Sequence, residues 1–406
     1  MNLPRFIAQR IQKTNTTTFT STVTKIGISS IAIGLAVMII SFSILIGFKK
    51  TIKEKLFSLS SHIQVNKITL NQSFEETPLT INTKFHQNYR KIPEIRHLQV
   101  VANKAGLLKS IEEHAGIVIK GVGKDYDWDT FNENLVEGRK INFKDTTYSD
   151  EIIISKKIAN QLKIKLSDEV RIYFIQNPPR IRKVKVVGIY DTGLEEFDKN
   201  FILGDLALIQ KMNDWNNQTV GHYEIFIKNF DQLDATAKQV FDEIDQDMQI
   251  LRVTDMFPAI FDWLSLMDRN IIVIIGLILL VASFNMISVL LVMMMERTPM
   301  IGLLKALGSD NAKIRKIFIY NGLTIIIKGM AYGNIIGLGF CFLQKEFKII
   351  PLDSESYYMS FVPISIDWLT VLWLNVVTVI LVWAVITIPT FVVSKMKLVE
   401  SLKFKS

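Results

Sequence analysis

The residue types that most often carry enzymatic chemistry are scarce or badly spaced in this 406-residue sequence. Its five histidines show no metal-ligand spacing, and Cys341 is the single cysteine, which excludes a disulfide framework and a cysteine-based zinc site. The segment GVGKD, from Gly121 to Asp125, lacks the spacing of a phosphate-binding loop, and no G-x-S-x-G element occurs. We therefore expect no enzymatic activity, metal or cofactor, and any driven work must take its energy from a partner.

The stretch TPMIGLLKALG begins and ends with residue types that cap helices, which predicts a short, separate helix. Thr298 suits the N-cap position, Pro299 suits the first helical position, and Gly308 suits the first position beyond the helix end. Either Ser309 or Asp310 can then cap the next helix.

Six of the nine residues in this predicted helix are apolar: Met300, Ile301, Leu303, Leu304, Ala306 and Leu307. Exposing a large apolar side chain forfeits roughly 1.5–3 kcal/mol, so something must cover the helix. The residues alone leave two interpretations open. The helix lies in the lipid interface with Lys305 reaching the head groups, or it inserts into a groove of another protein.

Four apolar runs reach the roughly 20 residues that a helix needs to cross a bilayer. They cover residues 26–48, 271–295, 317–343 and 369–393. The first run is longer than the apolar part of a signal peptide and no convincing cleavage site follows it, so we interpret it as an uncleaved anchor. The composition, 49% hydrophobic and 21% charged, fits membrane segments combined with a sizeable water-soluble domain.

Basic residues beside the apolar runs predict the topology. They lie in the amino-terminal segment 1–25, the connection 296–316 and the tail 394–406, which four spans place on one side. These residues are Arg5, Arg10, Lys13, Lys25, Arg297, Lys305, Lys313, Arg315, Lys316, Lys395, Lys397, Lys403 and Lys405. We place them in the cytoplasm. The net charge of +8 then reflects membrane edges rather than nucleic-acid binding.

Four lysines directly after the first run favour the opposite orientation: Lys49, Lys50, Lys53 and Lys55. The basic residues of the three other segments outnumber them, so we keep the predicted orientation. Residues 49–270 then form a domain on the far side of the membrane, together with a loop at 344–368. The predicted fold is a membrane protein with four transmembrane α-helices and a large α+β periplasmic domain inserted between the first and second helices.

Segments rich in β-branched and aromatic residues predict strands in this domain: HIQVNKITL, AGIVIKGVG, EIIIS, EVRIYFI, VKVVGIY and YEIFIKN. A helical period in DQLDATAKQVFDEIDQD places Leu233, Ala237, Val240 and Ile244 on one face. A segment of about 220 residues can bury a real core, which we expect to be divided between two subdomains.

Small residues at four-residue spacing in the third run favour close helix packing: Gly329, Gly333 and Gly337. A charged side chain inside a membrane span costs free energy, so Lys328 either extends toward the cytoplasm or faces the helix bundle. Asn285 and Asn375 are predicted to form interhelical hydrogen bonds.

Two parts of the sequence resemble a known family. FNMISVLLVMMMERTPMIGLLKALGSDNAKIRKIFIYNG resembles the signature of FtsX/MacB-type ABC permeases, which share an E-R and I-G-x-L-K-A-L-G segment between the second and third spans. GIVIKGVG, VEGR and VVGIYDTGLEEFDKNFILGDLALIQ resemble the core domain of the lipoprotein-releasing (LolC/LolE) branch. TGLEEFD is the more specific pointer to that branch, and the resemblance covers nearly the whole chain.

The resemblance implies an ABC transporter permease in a bacterial inner membrane. Such permeases work in homologous or identical pairs with two cytoplasmic ATPase subunits, which supply the ATPase activity. In this branch a lipoprotein enters from the outer leaflet between the first and second spans and passes to a periplasmic chaperone. By position, the helix that docks on the ATPase comprises Thr298, Pro299, Met300, Ile301, Gly302, Leu303, Leu304, Lys305, Ala306, Leu307 and Gly308.

Other expected contacts are less specific. Pro299 and Met300 depart from the polar residue and Glu that many members carry. The chaperone-binding hook of one subunit type corresponds to a short hairpin tip here: Pro178, Pro179 and Arg180. Four large apolar residues lie at a suitable depth in the first and second predicted spans to line a lipoprotein cavity: Phe42, Leu45, Phe48 and Phe284. Two alternatives stay open: an efflux or mechanotransmission permease without lipoprotein cargo, and a non-transporting receptor or scaffold.

Overall fold

The computed structural model describes residues 19–69, 75–110, 113–144, 147–353, 357 and 359–394. The chain divides into two compact units. One contains residues 51–262 and 353–360, and the other contains residues 1–50, 263–352 and 361–406. Several residues that carry the topology prediction lie outside the described ranges: Arg5, Arg10, Lys13, Lys395, Lys397, Lys403 and Lys405.

The helices, in chain order, are α1 Phe19–Leu59, α2 Lys84–Asn88, α3 Trp128–Asn132, α4 Lys156–Leu162, α5 Glu195–Asn200, α6 Leu206–Met212, α7 Leu233–Glu243, α8 Val253–Met256, α9 Pro258–Glu296, α10 Thr298–Ala306, α11 Asn311–Phe347 and α12 Trp368–Ser394. The strands are β1 Ile63–Lys67, β2 Leu79–Thr80, β3 Ile95–Lys109, β4 His114–Val122, β5 Leu135–Gly138, β6 Glu151–Ser155, β7 Glu169–Phe174, β8 Arg180–Tyr190, β9 Phe201–Asp205, β10 Thr219–Val220, β11 His222–Ile227 and β12 Met248–Arg252.

Four helices in the described part of the chain are long and apolar enough to cross a membrane: α1, α9, α11 and α12. Each contains one of the predicted apolar runs, and each extends beyond it. Polar turns can stay helical outside a bilayer, so the helix ends do not mark the membrane edges. The predicted membrane boundaries therefore stay predictions.

The 51–262 unit is built on a ten-stranded sheet in which the neighbouring strands are β12-β1-β11-β3-β4-β9-β6-β8-β5, and β7 pairs with both β3 and β8. The pairings β3-β4-β9-β6-β8-β7-β3 close a ring of six strands. Each of the six predicted strand segments contains a strand, and α7 buries Leu233, Ala237 and Val240 on the predicted face.

The expectation of two subdomains stays a prediction, and one long strand joins the two halves of the sheet. The first half of β3, Ile95–Val101, pairs with β11, and the second half, Ala102–Lys109, pairs with β4. A single hydrophobic core packs on this sheet, and it includes Leu56 near the end of α1 and Val253 at the start of α8. Polar residues and Gly106 interrupt the strand pattern of β3, which explains why the sequence did not reveal it.

Candidate functional site

The short helix α10 lies between α9 and α11, and its ends differ in part from the prediction. Thr298 is the first helical residue rather than the N-cap, which is Arg297. The Thr298 hydroxyl instead donates to the carbonyl oxygen of Met295, at 2.8 Å, and so satisfies an orphan acceptor at the end of α9. A threonine hydroxyl both donates and accepts, so the sequence could not distinguish these roles.

The C-terminal end of α10 follows the prediction. Gly308 has φ +82°, the left-handed conformation that glycine adopts without a Cβ penalty. Its N–H donates to the Lys305 oxygen at 3.0 Å, and the Ser309 N–H donates to the Leu304 oxygen at 2.9 Å. Together these two hydrogen bonds form a Schellman motif, which stops the helix firmly. Asp310 then occupies the N-cap position of α11.

One face of α10 is anchored and the other is uncovered. Ile301 is 2% exposed and belongs to a small cluster with Met294, Ile314 and Phe318, which lie on the flanking helices α9 and α11. Leu303 and Leu307 are 62% and 75% exposed. The buried side fixes the position of α10 beside α11, while two large leucines remain for a partner or for lipid.

The predicted glycine stripe on α11 packs against α1. A Cβ placed on Gly329 would lie 2.8 Å from the Cβ of Ile31, and one on Gly333 would lie 2.9 Å from the Ala32 oxygen. At Gly337 the nearest atom, 3.1 Å away, is the Cα of Ala36. The close packing that the spacing predicted is therefore present, with α1 as the partner helix.

Both predicted asparagines form interhelical hydrogen bonds. Asn285 of α9 donates to Ser30 Oγ of α1 at 2.9 Å. Asn375 of α12 and Asn334 of α11 exchange two hydrogen bonds, at 2.7 and 3.0 Å. Lys328 of α11 is exposed rather than buried between the described helices.

The predicted cavity residues do not form one group. Leu45 and Phe48 are buried, and Phe42 packs against the cluster of Leu35 and Ile39. Phe284 is 63% exposed on α9, next to the residue that bonds Ser30. Ser30 and Phe42 are separated by about 18 Å along α1 at 1.5 Å per residue, so this register places Phe284 at a different level from the other three.

The predicted chaperone-contact hairpin is short, as expected. Its strands β7 and β8 are antiparallel neighbours, and Pro178 and Pro179 are exposed in the connection between them. Arg180 is the first residue of β8, where its guanidinium bonds the Asp214 carboxylate at 2.6 Å and the Met212 oxygen at 3.0 Å. Arg180 therefore holds the hairpin base, and Ile175, 83% exposed, is the large apolar side chain near the tip.

The TGLEEFD motif forms a buried clasp that the sequence could not assign. The carboxylate of Asp198 accepts hydrogen bonds from the Thr192 hydroxyl at 2.8 Å and from the Gly193 N–H at 3.0 Å. The Thr192 carbonyl oxygen in turn accepts a 2.7 Å hydrogen bond from Lys55 near the end of α1. Burial raises the pKa of Asp198 to about 6, although these donors oppose the shift.

A second cluster that sequence reasoning missed is a chain of buried charges. Lys120 contacts Glu224 at 2.8 Å, and His222 contacts Glu76 at 2.7 Å and Glu224 at 3.7 Å. Burial alone would lower the pKa of His222, but Glu76 and Glu224 outweigh it and raise that pKa to about 9. Glu76 reaches His222 across 146 residues of chain, beyond the reach of any local pattern.

The sequence order of these parts defines a class of protein: a membrane protein with a folded α/β unit between its first and second candidate spans. Residues 26–263 match the family model of the MacB-like periplasmic core domain, and residues 272–398 match the C-terminal region of FtsX-like permeases. The chain thus belongs to the family of FtsX-like permeases with a MacB-like periplasmic core domain.

Curated relatives extend along nearly the whole chain. The lipoprotein-releasing system transmembrane protein LolC of Neisseria meningitidis serogroup B is 22% identical over 95% of this chain and 95% of its own length. LolC of Buchnera aphidicola is 25% identical over 88% of this chain and 87% of its own. LolE of Haemophilus influenzae is 22% identical over 92% of each chain.

Proposed function

We propose that the chain is the permease subunit of an ABC transporter that extracts lipoproteins from the outer leaflet of the bacterial inner membrane. A partner ATPase supplies the energy, and a periplasmic chaperone receives the lipoprotein. The similarity to LolC and LolE proteins along nearly the whole chain carries this proposal. In this topology residues 1–25, 296–316 and 394–406 are cytoplasmic, and residues 49–270 and 344–368 are periplasmic.

The exposed leucines of α10 are the docking surface for the ATPase. Leu303 and Leu307 present a large apolar area on a helix that Ile301 anchors from the opposite side. A helix that lies in lipid needs no such capped, rigid attachment, whereas a helix that transmits force to α11 does. We assign the role of docking on the ATPase to the whole predicted segment, from Thr298 to Gly308.

The second candidate span supports a second permease subunit. In the most apolar 18-residue stretch of α9, 6% of the residues are buried within this chain, compared with 56% in the corresponding stretch of α1. A helix with so little cover packs against either lipid or another helix, and the second of these fits a paired permease. In this arrangement Phe284 faces the partner or the lipid, while Phe42 lies beside the lipoprotein path.

The β7–β8 hairpin is the chaperone contact. Pro178, Pro179 and the exposed Ile175 form its tip, and Arg180 braces its base through Asp214. A braced apolar tip loses little conformational entropy on binding, so it suits a transient partner. The short length of the hairpin leaves both subunit types of the lipoprotein-releasing system possible for this chain.

Reconstitution tests the function directly. The permease, its second permease subunit, the ATPase and a fluorescent triacylated lipoprotein are placed in proteoliposomes, and the transfer of lipoprotein to a soluble chaperone is measured. We expect transfer with ATP and none with a non-hydrolysable ATP analogue. ATP hydrolysis without transfer to any chaperone tested would favour an efflux or mechanotransmission permease instead.

A further inference from the structure

One face of the sheet in the 51–262 unit carries polar side chains and faces a cavity. Directly opposed residues of neighbouring strands share a face, so the strand registers place Gln249, Gln64, Asn66, His222 and Glu224 together across β12, β1 and β11. Asn103 and Lys120 are opposed across β3 and β4. All seven line a cavity of about 790 Å³. This volume lies within the range of pockets that bind small ligands.

The rest of the lining is mixed. Leu251 and Leu203 lie on the floor, opposed to Gln64 and Lys120. The walls combine apolar side chains with charged ones: Leu59, Phe197, Phe257, Lys67, Glu75 and Glu196. The cavity therefore offers hydrogen-bonding groups and apolar contacts side by side. A ligand with polar and apolar parts in close alternation, such as a polypeptide, matches this mixed lining.

The charged groups on the floor are already paired with one another. Glu224 accepts hydrogen bonds from Lys120 and Gln99, at 2.8 and 2.7 Å, and Glu76 pairs with His222. A strongly charged ligand would have to break these buried pairs, which is costly because each separated charge would be left desolvated. The floor therefore favours an uncharged ligand.

Two acceptors on the floor lack a donor. The side-chain oxygens of Asn66 and Asn103 are buried and have no hydrogen-bond partner in the described structure. Buried acceptors are rarely left unsatisfied, so a donor from outside the described residues is expected at each, and a bound ligand can supply it. Because Asn66 and Asn103 lie on strands separated by β11, they are about 12 Å apart at ordinary strand spacing and rise.

This spacing fits an extended peptide. N–H groups on the same side of an extended chain repeat every two residues, or about 7 Å, so groups four residues apart are separated by about 13 Å. We propose that the cavity binds a short, extended, uncharged peptide segment whose main-chain N–H groups donate to Asn66 and Asn103. The inference rests on the proposed function, because the peptide is then the segment of the lipoprotein cargo that follows its acylated residue.

The first test measures binding and stability together. The full chain in detergent is titrated with a fluorescent, end-blocked ten-residue peptide of Ser, Gly, Asn and Thr, and binding is followed by anisotropy. In the double variant Asn66→Leu, Asn103→Leu we expect about tenfold weaker binding, since two hydrogen bonds are lost. We also expect a higher unfolding temperature, because two unsatisfied acceptors are removed.

These opposite effects separate a ligand role from a structural one. If ordered water alone satisfies the two oxygens, the wild-type chain binds no peptide and the double variant is not stabilised. A labelled maltopentaose in place of the peptide tests hydroxyl donors from a glycan. Binding of the glycan without binding of the peptide would overturn the proposal.

The second test places the cargo in the cavity. A photoreactive benzoylphenylalanine replaces Gln249 on the floor or, as the matched control, Gln246, which is exposed three residues earlier. We expect crosslinks from position 249, and not from 246, to the first ten residues of the acylated cargo. Transfer of lipoprotein without a crosslink at 249 would reject this site alone. Peptide binding without any transfer would reject the proposed function and keep the site.

Discussion

Asp198 and Thr192 form a clasp inside the TGLEEFD motif. The Asp198 carboxylate accepts hydrogen bonds from the Thr192 hydroxyl at 2.8 Å and from the Thr192 N–H at 3.3 Å. It also accepts from the N–H of Gly193, which has φ +69°. The carbonyl oxygen of Thr192 is thereby turned toward Lys55 of α1. The motif that resembles the lipoprotein-releasing branch thus shapes a loop that bonds the end of the first long helix.

Removing the Asp198 carboxylate should open this clasp. Asp198→Ala leaves three donors without their acceptor, two of them buried, and we expect the free energy of unfolding to fall by at least about 2 kcal/mol. Asp198→Asn keeps one carbonyl oxygen, so its free energy of unfolding should lie between those of Asp198→Ala and the wild type. Thermal unfolding gives the ranking, and hydrogen exchange should localise the change to residues 191–194. Equal stability of the Ala and Asn variants would contradict the role of the carboxylate.

The exposure of the individual leucines of α10 shows which substitution tests ATPase docking without disturbing the fold. Leu303→Asp should abolish co-purification with the ATPase and leave the permease folded, because Leu303 is 62% exposed. Leu304 is half-buried, so Leu304→Asp would combine lost docking with local damage. Leu166→Asp makes the same change at a partly exposed leucine of the 51–262 unit and should keep the complex intact. Normal ATPase binding by the Leu303 variant would reject α10 as the coupling helix.

Two glycines on α11 provide a matched pair for the packing of α1. Gly333→Ala places a Cβ 2.9 Å from the Ala32 oxygen, so we expect a loss of about 1–3 kcal/mol in stability. Gly339 has no atom within 4 Å of a Cβ position, and Gly339→Ala should be neutral or slightly stabilising. Thermal unfolding in detergent, followed by size-exclusion chromatography, compares the two. Equal losses would show that the stripe is not a contact surface.

Local signals predicted the local features well. Gly308 ends α10 as its type and position indicated, because only a residue tolerant of positive φ suits that site. The four-residue spacing of Gly329, Gly333 and Gly337 predicted a helix contact because residues four apart share a face. Periodicity cannot name the partner helix, so the role of α1 came only from the structure.

Long-range features were beyond the sequence. The long strand β3 joins two sheet regions, yet its polar positions resemble a loop until the neighbouring strands are known. The Glu76–His222 pair also depends on the fold, since Gly221 leaves the space that the Glu76 carboxylate fills. Thr298 was misassigned because its hydroxyl can cap the helix before it or the helix after it.

The buried pair of His222 and Glu76 should make stability depend on alkaline pH. The pKa of His222 is about 9 in the folded chain, against 6.5 for an ordinary histidine. A raised histidine pKa contributes stability that is fully present below pH 6.5 and is lost as the pH rises through 9. The difference corresponds to about 3 kcal/mol, so the unfolding temperature should fall between pH 7 and pH 10.

The histidine itself can be isolated as the cause. His222→Gln removes the titrating group, and although it lowers stability at neutral pH, it should flatten the decline between pH 7 and pH 10. Glu76→Gln removes a carboxylate that holds the proton, so the decline should move to lower pH. Hydrogen exchange of β11, measured on the full chain at each pH, reports this region separately from the long helices. An unchanged alkaline decline in His222→Gln would mean that another group, and not the buried ion pair, controls stability there.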